Sequence, residues 1–337
     1  MLKLKNNTTQ EQIDKISSAL TAKGHTHVIT KLGSQTVIGL EKSLPAQMAE
    51  GLEGVEEELI IKTPYKLASL AMKPERTVIE IGGVRIGGNE VVLMAGPCAI
   101  ESEEQLVQSG IALRNSGVSI LRASAYKPRT SPYSFQGHGL EGLKMHQRAQ
   151  KKHGLLTSTE VMDARQVKEA SEHVDILWIG ARNMQNFDLL KEVGKCQRPV
   201  ILKRGASATI EEWILSAEYI MAHGNPNVIL CERGIRTFET ATRYTLDLSA
   251  VAVARLMTHL PIIVDPSHAA GRKDLLSALC KAAVAIGADG LLVEAHPRPS
   301  ESLCDAKQAL SLEEFDKISQ ELKAVAHAIG RKLHANT

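Results

Sequence analysis

From Val91 onward the chain repeats one pattern. A short run of branched apolar residues is followed by a polar loop, then by a stretch with apolar positions three and four apart. The runs are VVLMAGPC (91–98), SILRASAY (119–126), LLTSTEV (155–161), DILWIGA (175–181), PVILKRG (199–205), NVILCERG (227–234), PIIVDPS (261–267) and GLLVEAH (290–296). Amphipathic stretches lie between each pair, and residues 312–330 supply a last helix. Eight βα units in roughly 250 residues are what a (β/α)₈ TIM barrel needs. An open doubly wound sheet is the alternative, but it more often carries a Gly-rich fingerprint after its first strand, and GPCAIES is not one.

Residues 1 to about 62 follow a different pattern, β-α-β-β-α-β. LKLK opens as a strand, residues 9–23 place Ile13, Ile16 and Leu20 on one helical face, and HVIT and QTVIGL flank a Gly33-Ser34 hairpin signal. A short helix is expected from about Pro45 to Gly51, and VEEELIIK closes the unit. This order predicts a small ferredoxin-like α+β domain over 1–62. Residues 63–76 read as a linker, and 77–337 as the barrel, preceded by two short strands in TVIEIGGVRIGG about a Gly-Gly turn.

Composition agrees with a barrel: 43% of residues are hydrophobic but only 3% aromatic, so short branched side chains fill the strands. The 40 basic and 38 acidic residues leave a net charge of +2, which points to neither nucleic acid nor a membrane surface. No apolar run reaches the roughly 18 residues of a membrane span, and MLKLKNNTTQ lacks the apolar core of a signal peptide. Five scattered cysteines make no disulfide framework. The expectation is a reduced, cytoplasmic protein.

Barrel enzymes place their chemistry at the C-terminal strand ends. Here those ends hold Cys98, Arg122, Glu160, Arg182, Lys203 with Arg204, Glu232 with Arg233, Asp265 with His268, and Glu294 with His296. One charged residue past a strand is ordinarily a solvated face, but eight strands delivering one at the same edge point to a site. Arg122, Lys127, Arg129, Arg182, Lys203, Arg204 and Arg233 would repel one another unless anions neutralise them, which suggests phosphorylated or carboxylated ligands. Salt bridges with Glu160, Glu232 and Glu294 would account for some of these cations and leave an excess. Cys98, His268, Glu294 and Asp305 follow strands 1, 7 and 8, neighbours where a barrel closes. They mix soft and hard ligands suited to Mn²⁺, Fe²⁺, Co²⁺ or Zn²⁺. Read singly, the cysteine is a small buried hydrophobe and the histidine a hydrogen-bonded core residue.

GPCAIES, RASAYKPRTSPYSFQG, IGARNMQN, LKRG, CERGIRTFE, VDPSHAAGR and VEAHPRPSESLCDAKQ, in that order across about 77–337, resemble the 3-deoxy-D-arabino-heptulosonate 7-phosphate (DAHP) synthases of the type I beta group. The N-terminal unit is similar to the ferredoxin-like regulatory extension of some members. The resemblance implies condensation of phosphoenolpyruvate with erythrose 4-phosphate at the entry to the shikimate pathway, with a divalent metal and no organic cofactor. It puts the metal on Cys98, His268, Glu294 and Asp305. It puts phosphoenolpyruvate on Arg122 and Lys127 at its carboxylate and on Arg182, Lys203 and Arg233 at its phosphate. Arg129, Thr130 and Ser131 take the aldose phosphate, Glu160 and Asp265 are acidic site positions, and Lys127 is the proton donor. It also implies a homo-oligomer, a tetramer in the family, inhibited by tyrosine or phenylalanine.

The sister enzyme that makes 3-deoxy-octulosonate 8-phosphate from arabinose 5-phosphate is the nearest alternative. It carries a Lys-Ala-Asn-Arg-Ser-Ser run where this chain has Lys127-Pro128-Arg129-Thr130-Ser131, which favours the shorter sugar. A non-catalytic ligand-sensing relative is the other alternative, and an intact ligand set argues against it. Cys304 precedes Asp305 directly, so a Cys98–Cys304 disulfide in metal-free protein is a further expectation, beside the plain reading of Cys304 as a small buried side chain.

Overall fold

The computed structural model describes residues 1–32, 35–42, 44–45 and 51–335. The Gly33-Ser34 turn and most of the short helix expected near Pro45–Gly51 lie outside the described residues.

The N-terminal unit has strands β1 (Leu2–Leu4), β2 (His27–Leu32), β3 (Gln35–Leu40) and β4 (Val55–Glu58), and helix α1 (Gln10–Ala22). Thr9 and Gln12 cap α1 reciprocally, which fixes where it starts. The sheet order is β2-β3-β1-β4 with antiparallel pairs throughout. Ile13, Ile16 and Leu20 pack on Leu2, Leu4, Ile38 and Leu40 in a small separate core. β4 stops at Glu58, short of the full VEEELIIK run.

Residues 63–76 are held against the barrel. Tyr65, Leu67 and Ala68 are buried, and the carboxylate of Glu218 accepts hydrogen bonds from the backbone N–H groups of Lys66, Leu67 and Ala68 at 2.7–2.9 Å. Thr30 on β2 donates to the carbonyl of Met221, so the N-terminal sheet is pinned to the same helix, α6 (Ile210–Ala222).

The hairpin of β5 (Ile79–Ile81) and β6 (Val84–Ile86) turns on Gly82 and Gly83, whose φ of 52° and 82° lie in the left-handed region that favours glycine. It closes the N-terminal end of the barrel, where Ile79, Val84 and Ile86 meet the interior side chains of the barrel strands.

Those strands are β7 (Glu90–Gly96), β8 (Ile120–Arg122), β9 (Leu156–Val161), β10 (Ile176–Ile179), β11 (Val200–Lys203), β12 (Val228–Glu232), β13 (Ile262–Val264) and β14 (Gly290–Glu294). Each is parallel to the next, and β14 pairs with β7 to close the ring. Around it lie α2 (Glu103–Asn115), α3 (Leu140–His153), α4 (Ala164–His173), α5 (Phe187–Lys195), α6, α7 (Leu248–Met257), the short α8 (Pro266–Ala270), α9 (Leu276–Ala285) and α10 (Leu312–Ala328). A final strand β15 (Lys332–Leu333) pairs with the start of β7.

Strand residues alternate between a helix-facing core and the barrel interior. The interior is apolar low down, with Val92, Ile120, Ile176, Ile201, Ile229 and Ile263, and then Met94, Trp178, Cys231 and Leu292. Two residues further on, the same parity delivers Arg122, Glu160, Lys203, Arg233, Asp265 and Glu294, all buried. The site is therefore the top layer of the barrel's own packing.

Candidate active site

Trp178 is the floor. The Arg122 guanidinium lies 5.0 Å and the Lys203 ammonium 5.6 Å from its ring centroid, both on the site side of an apolar barrel. Each cation is also paired: Arg122 donates to Glu294 Oε1 at 2.9 Å, and Lys203 to Asp265 Oδ2 at 2.8 Å. Gly180, just past β10, leaves room for Glu160, since a Cβ there would lie 2.1 Å from Glu160 Oε1.

Beside this floor, Cys98, His268, Glu294 and Asp305 bring one ligand atom each to within 4.8 Å of one another. Cys98 Sγ donates to Asp305 Oδ2 at 3.1 Å, and His268 Nε2 is 3.2 Å from Glu294 Oε1. The other ring nitrogen, Nδ1, lies 2.8 Å from Asp265 Oδ2, while Asp265 Oδ1 caps α8 by accepting from the His268 N–H. A proton on Nδ1 satisfies that carboxylate and leaves the Nε2 lone pair toward the cluster, as a metal-binding imidazole requires. Asp305 adopts φ 52°, in the left-handed region that few residues other than glycine enter. A thiol, an imidazole and two carboxylates, inward-facing and held by neighbours, fit a divalent transition ion.

The charge states follow from these contacts. Burial disfavours ionised Glu294, yet His268, Arg122 and Lys127 hold its carboxyl well below the usual range. Burial likewise opposes ionisation of Asp265, and His268 and Lys203 overcome it. Burial keeps the His268 imidazole below its ordinary pKa despite Asp265 and Glu294. Burial, then Cys304 and Glu294, push the Cys98 thiol up. Lys127 has its pKa raised against burial by Cys98, Glu160 and Glu294, and stays protonated.

Above this cluster opens a cavity of about 630 Å³. Its walls include eight cationic side chains, Arg122, Lys127, Arg129, Arg182, Lys203, Arg233, Arg236 and Arg243, against the carboxylates of Glu160 and Asp305. Thr130 and Ser131 line it too, and Arg182 reaches Thr130 Oγ1 at 3.5 Å, so the 127–131 run and the strand-end arginines share one space. Such an excess of positive charge suits more than one anionic group.

Three residues read from the strand ends serve elsewhere. Arg204 faces the helix layer, where it pairs with Glu232 at 3.0 Å and Asp247 at 2.9 Å. His296 turns to Gln105 and Glu101. The salt-bridge reading thus holds for Arg204 and Glu232 and leaves the cavity cations in excess. Conversely, Arg236, Arg243, Tyr244 and Gln308 were not among the expected site residues. Gln308 donates to Glu294 Oε2 at 2.5 Å and accepts from Arg243 at 3.5 Å. Arg236 and Gln308 stand inside the quoted motifs CERGIRTFE and VEAHPRPSESLCDAKQ, whereas Arg243 and Tyr244 sit on an irregular loop with no periodic signal. Cys98 and Cys304 are free thiols packed in one small cluster, with Cys304 Sγ accepting from Arg129 at 2.7 Å.

A protein of Thermotoga maritima named phospho-2-dehydro-3-deoxyheptonate aldolase is 47% identical over 334 residues, 98% of this chain and 99% of that protein. A crystal structure of the phospho-2-dehydro-3-deoxyheptonate aldolase (DAHP synthase) from Thermotoga maritima is similar with a TM-score of 0.80 at 46% identity, covering 99% of this chain and 98% of that one. A 2-dehydro-3-deoxyphosphooctonate aldolase of Geobacter sulfurreducens is 32% identical over 266 residues, 73% of this chain and 97% of that protein. The family model described as DAHP synthetase I family matches residues 66–329, from the anchored linker to the end of α10, and the chain belongs to that family.

Proposed function

We propose that this protein condenses phosphoenolpyruvate with D-erythrose 4-phosphate and water, giving 3-deoxy-D-arabino-heptulosonate 7-phosphate and inorganic phosphate, the first step of the shikimate pathway to aromatic amino acids. The observation that carries this reading is one cavity joining eight cations to a Cys-His-Glu-Asp cluster at the mouth of the barrel. The full-length relative named phospho-2-dehydro-3-deoxyheptonate aldolase supports it.

In this reading Arg122 and Lys127 hold the phosphoenolpyruvate carboxylate, and Arg182, Lys203 and Arg233 hold its phosphate. Arg129, Thr130 and Ser131 hold the aldose phosphate. Two anions that repel in water are thereby fixed side by side, so catalysis is chiefly positioning and electrostatic stabilisation. C3 of phosphoenolpyruvate forms the new bond to the aldehyde carbon, water adds at C2, and the C2–O bond to phosphate breaks. Lys127, held protonated, delivers a proton to the new alcohol and regains one from the water that adds at C2, and the second water proton leaves with phosphate. Asp265 orients the His268 ring and steadies Lys203, and Glu160 faces the same cavity. Cys98, His268, Glu294 and Asp305 would hold a divalent ion (Mn²⁺, Fe²⁺, Co²⁺ or Zn²⁺), which would supply Lewis acidity for the aldehyde.

Residues 1–62 are read as a ferredoxin-like regulatory domain, joined through 63–76 to the catalytic barrel of 77–337. Its effector would be tyrosine or phenylalanine, and the protein a homo-oligomer, a tetramer by family resemblance. No helix of the described residues is long and apolar enough to cross a membrane. The test of the reaction is phosphate release after chelation and re-addition of single metals, with erythrose 4-phosphate and arabinose 5-phosphate offered in parallel. Release with the four-carbon sugar and metal together is expected. Release with the five-carbon sugar alone would select the octulosonate reaction, and none with either would refute an enzyme.

A further inference from the structure

Arg233 differs from the buried cations at the ends of β8 and β11. Arg122, Lys203 and Arg204 each pair with a carboxylate. Among the described residues Arg233 pairs with none, although it is buried. Its guanidinium instead lies over the ring of Tyr244, 4.3 Å from the centroid. Arg243 approaches the same ring at 5.8 Å. Burial would raise the Tyr244 phenol pKa, but the charges of Arg233 and Arg243, with hydrogen bonding to Arg233 and Arg236, bring it below its ordinary value.

The ring is fixed from behind. The Tyr244 N–H donates to Ala269 O at 2.8 Å and the Arg243 N–H to Ala270 O at 3.0 Å, which ties this segment to α8, the helix carrying His268. The loop's two sides are joined by the pair Ile235 and Thr245. Gly234, at φ 93°, makes the fit possible: a Cβ there would lie 2.7 Å from Tyr244 Cβ and 3.0 Å from Ala269 Cβ.

A carboxylate partner would hold Arg233 in place but compete with an incoming phosphate for the same N–H groups. A neutral aromatic side chain holds the guanidinium without neutralising it, so its charge stays available to a phosphate. We propose that Tyr244 is a positioning residue that fixes the unpaired Arg233 guanidinium for the phosphate of phosphoenolpyruvate. The inference rests on the assignment of Arg233 made above.

Steady-state kinetics of the metal-loaded, full-length protein test it. Tyr244→Leu keeps an apolar side chain and removes the π face. The KM for phosphoenolpyruvate should rise roughly three- to thirtyfold, the range of a partly desolvated cation–π contact. The KM for erythrose 4-phosphate should stay within about twofold, and Tyr244→Phe, which retains the face, should recover most of the loss. Because Tyr244 acts through Arg233, Tyr244→Leu added to Arg233→Ala should raise that KM no further. Additive effects in the double variant, or a Tyr244→Phe as impaired as Tyr244→Leu, would overturn the proposal. A normal Tyr244→Leu beside an impaired Arg233→Ala would overturn it alone, whereas an unaffected Arg233→Ala would overturn the assignment of Arg233 and this proposal with it.

Discussion

Asp265→Asn isolates the contact that joins the cation floor to the ligand cluster. Asp265 is fully buried, and its Oδ2 accepts from both His268 Nδ1 and Lys203 Nζ at 2.8 Å, while Oδ1 accepts from the His268 N–H at 3.0 Å. An asparagine that keeps its oxygen on the helix N–H turns its amide N–H toward two other donors. Turned over, it loses the cap. In the first arrangement the imidazole avoids a clash only by accepting at Nδ1 and carrying its proton on Nε2, which then points at Glu294 rather than offering a lone pair. Loss of an orienting carboxylate behind a metal-binding histidine typically costs about 10–100-fold in metal affinity. Lys203 is also left without its carboxylate. Breaking a buried pair costs about 3–5 kcal/mol, and because Lys203 lines the open cavity, where water reaches its ammonium, the lower end, about 3 kcal/mol, applies. For a chain of this size that is a fall in Tm on the order of 5 °C. Competition with a chromogenic chelator measures the first effect, and thermal melting of metal-free protein the second. An Asp265→Asn protein with parental metal affinity and parental Tm would refute the tautomer and the pairing argued here.

Four further outcomes are expected. Arg129→Ala should raise the KM for the aldose phosphate tenfold or more and Arg182→Ala that for phosphoenolpyruvate, since a charged hydrogen bond contributes about 1.5–3 kcal/mol; equal effects on both substrates would show the cavity is divided wrongly. Burial lowers the pKa values of His146, His153 and His259 to about 4 from an ordinary 6.5. Their unfolded forms therefore bind more protons between those values, so stability is complete above pH ~6.5 and falls as pH drops toward ~4; a urea midpoint flat across that window would contradict this. Oxidation of metal-free protein should join Cys98 to Cys304, which peptide mapping detects, whereas metal-loaded protein should resist. Deletion of residues 1–62 should leave an active enzyme that tyrosine and phenylalanine no longer inhibit, and a truncated protein still inhibited would move the effector site to the barrel.

The sequence by itself determined the strands and the edge at which chemistry collects. Branched apolar runs separated by amphipathic stretches admit few arrangements other than a ring of βα units, and a polar residue closing each run marks one rim. It also determined the four ligand types, because Cys98, His268, Glu294 and Asp305 follow strands that must be neighbours once the ring closes. Tertiary structure decided which rim residues face inward. Lys203 and Arg204 are adjacent in sequence, yet pleating sends the first into the barrel over Trp178 and the second to Glu232 and Asp247 in the helix layer. It decided as well that Arg243 and Tyr244, on a loop with no period, and Gln308 reach the site. Periodicity records which face of an element is buried. The return path of an irregular loop is set by contacts with distant segments, here Ala269 and Ala270 of α8, and those contacts exist only after the barrel has closed.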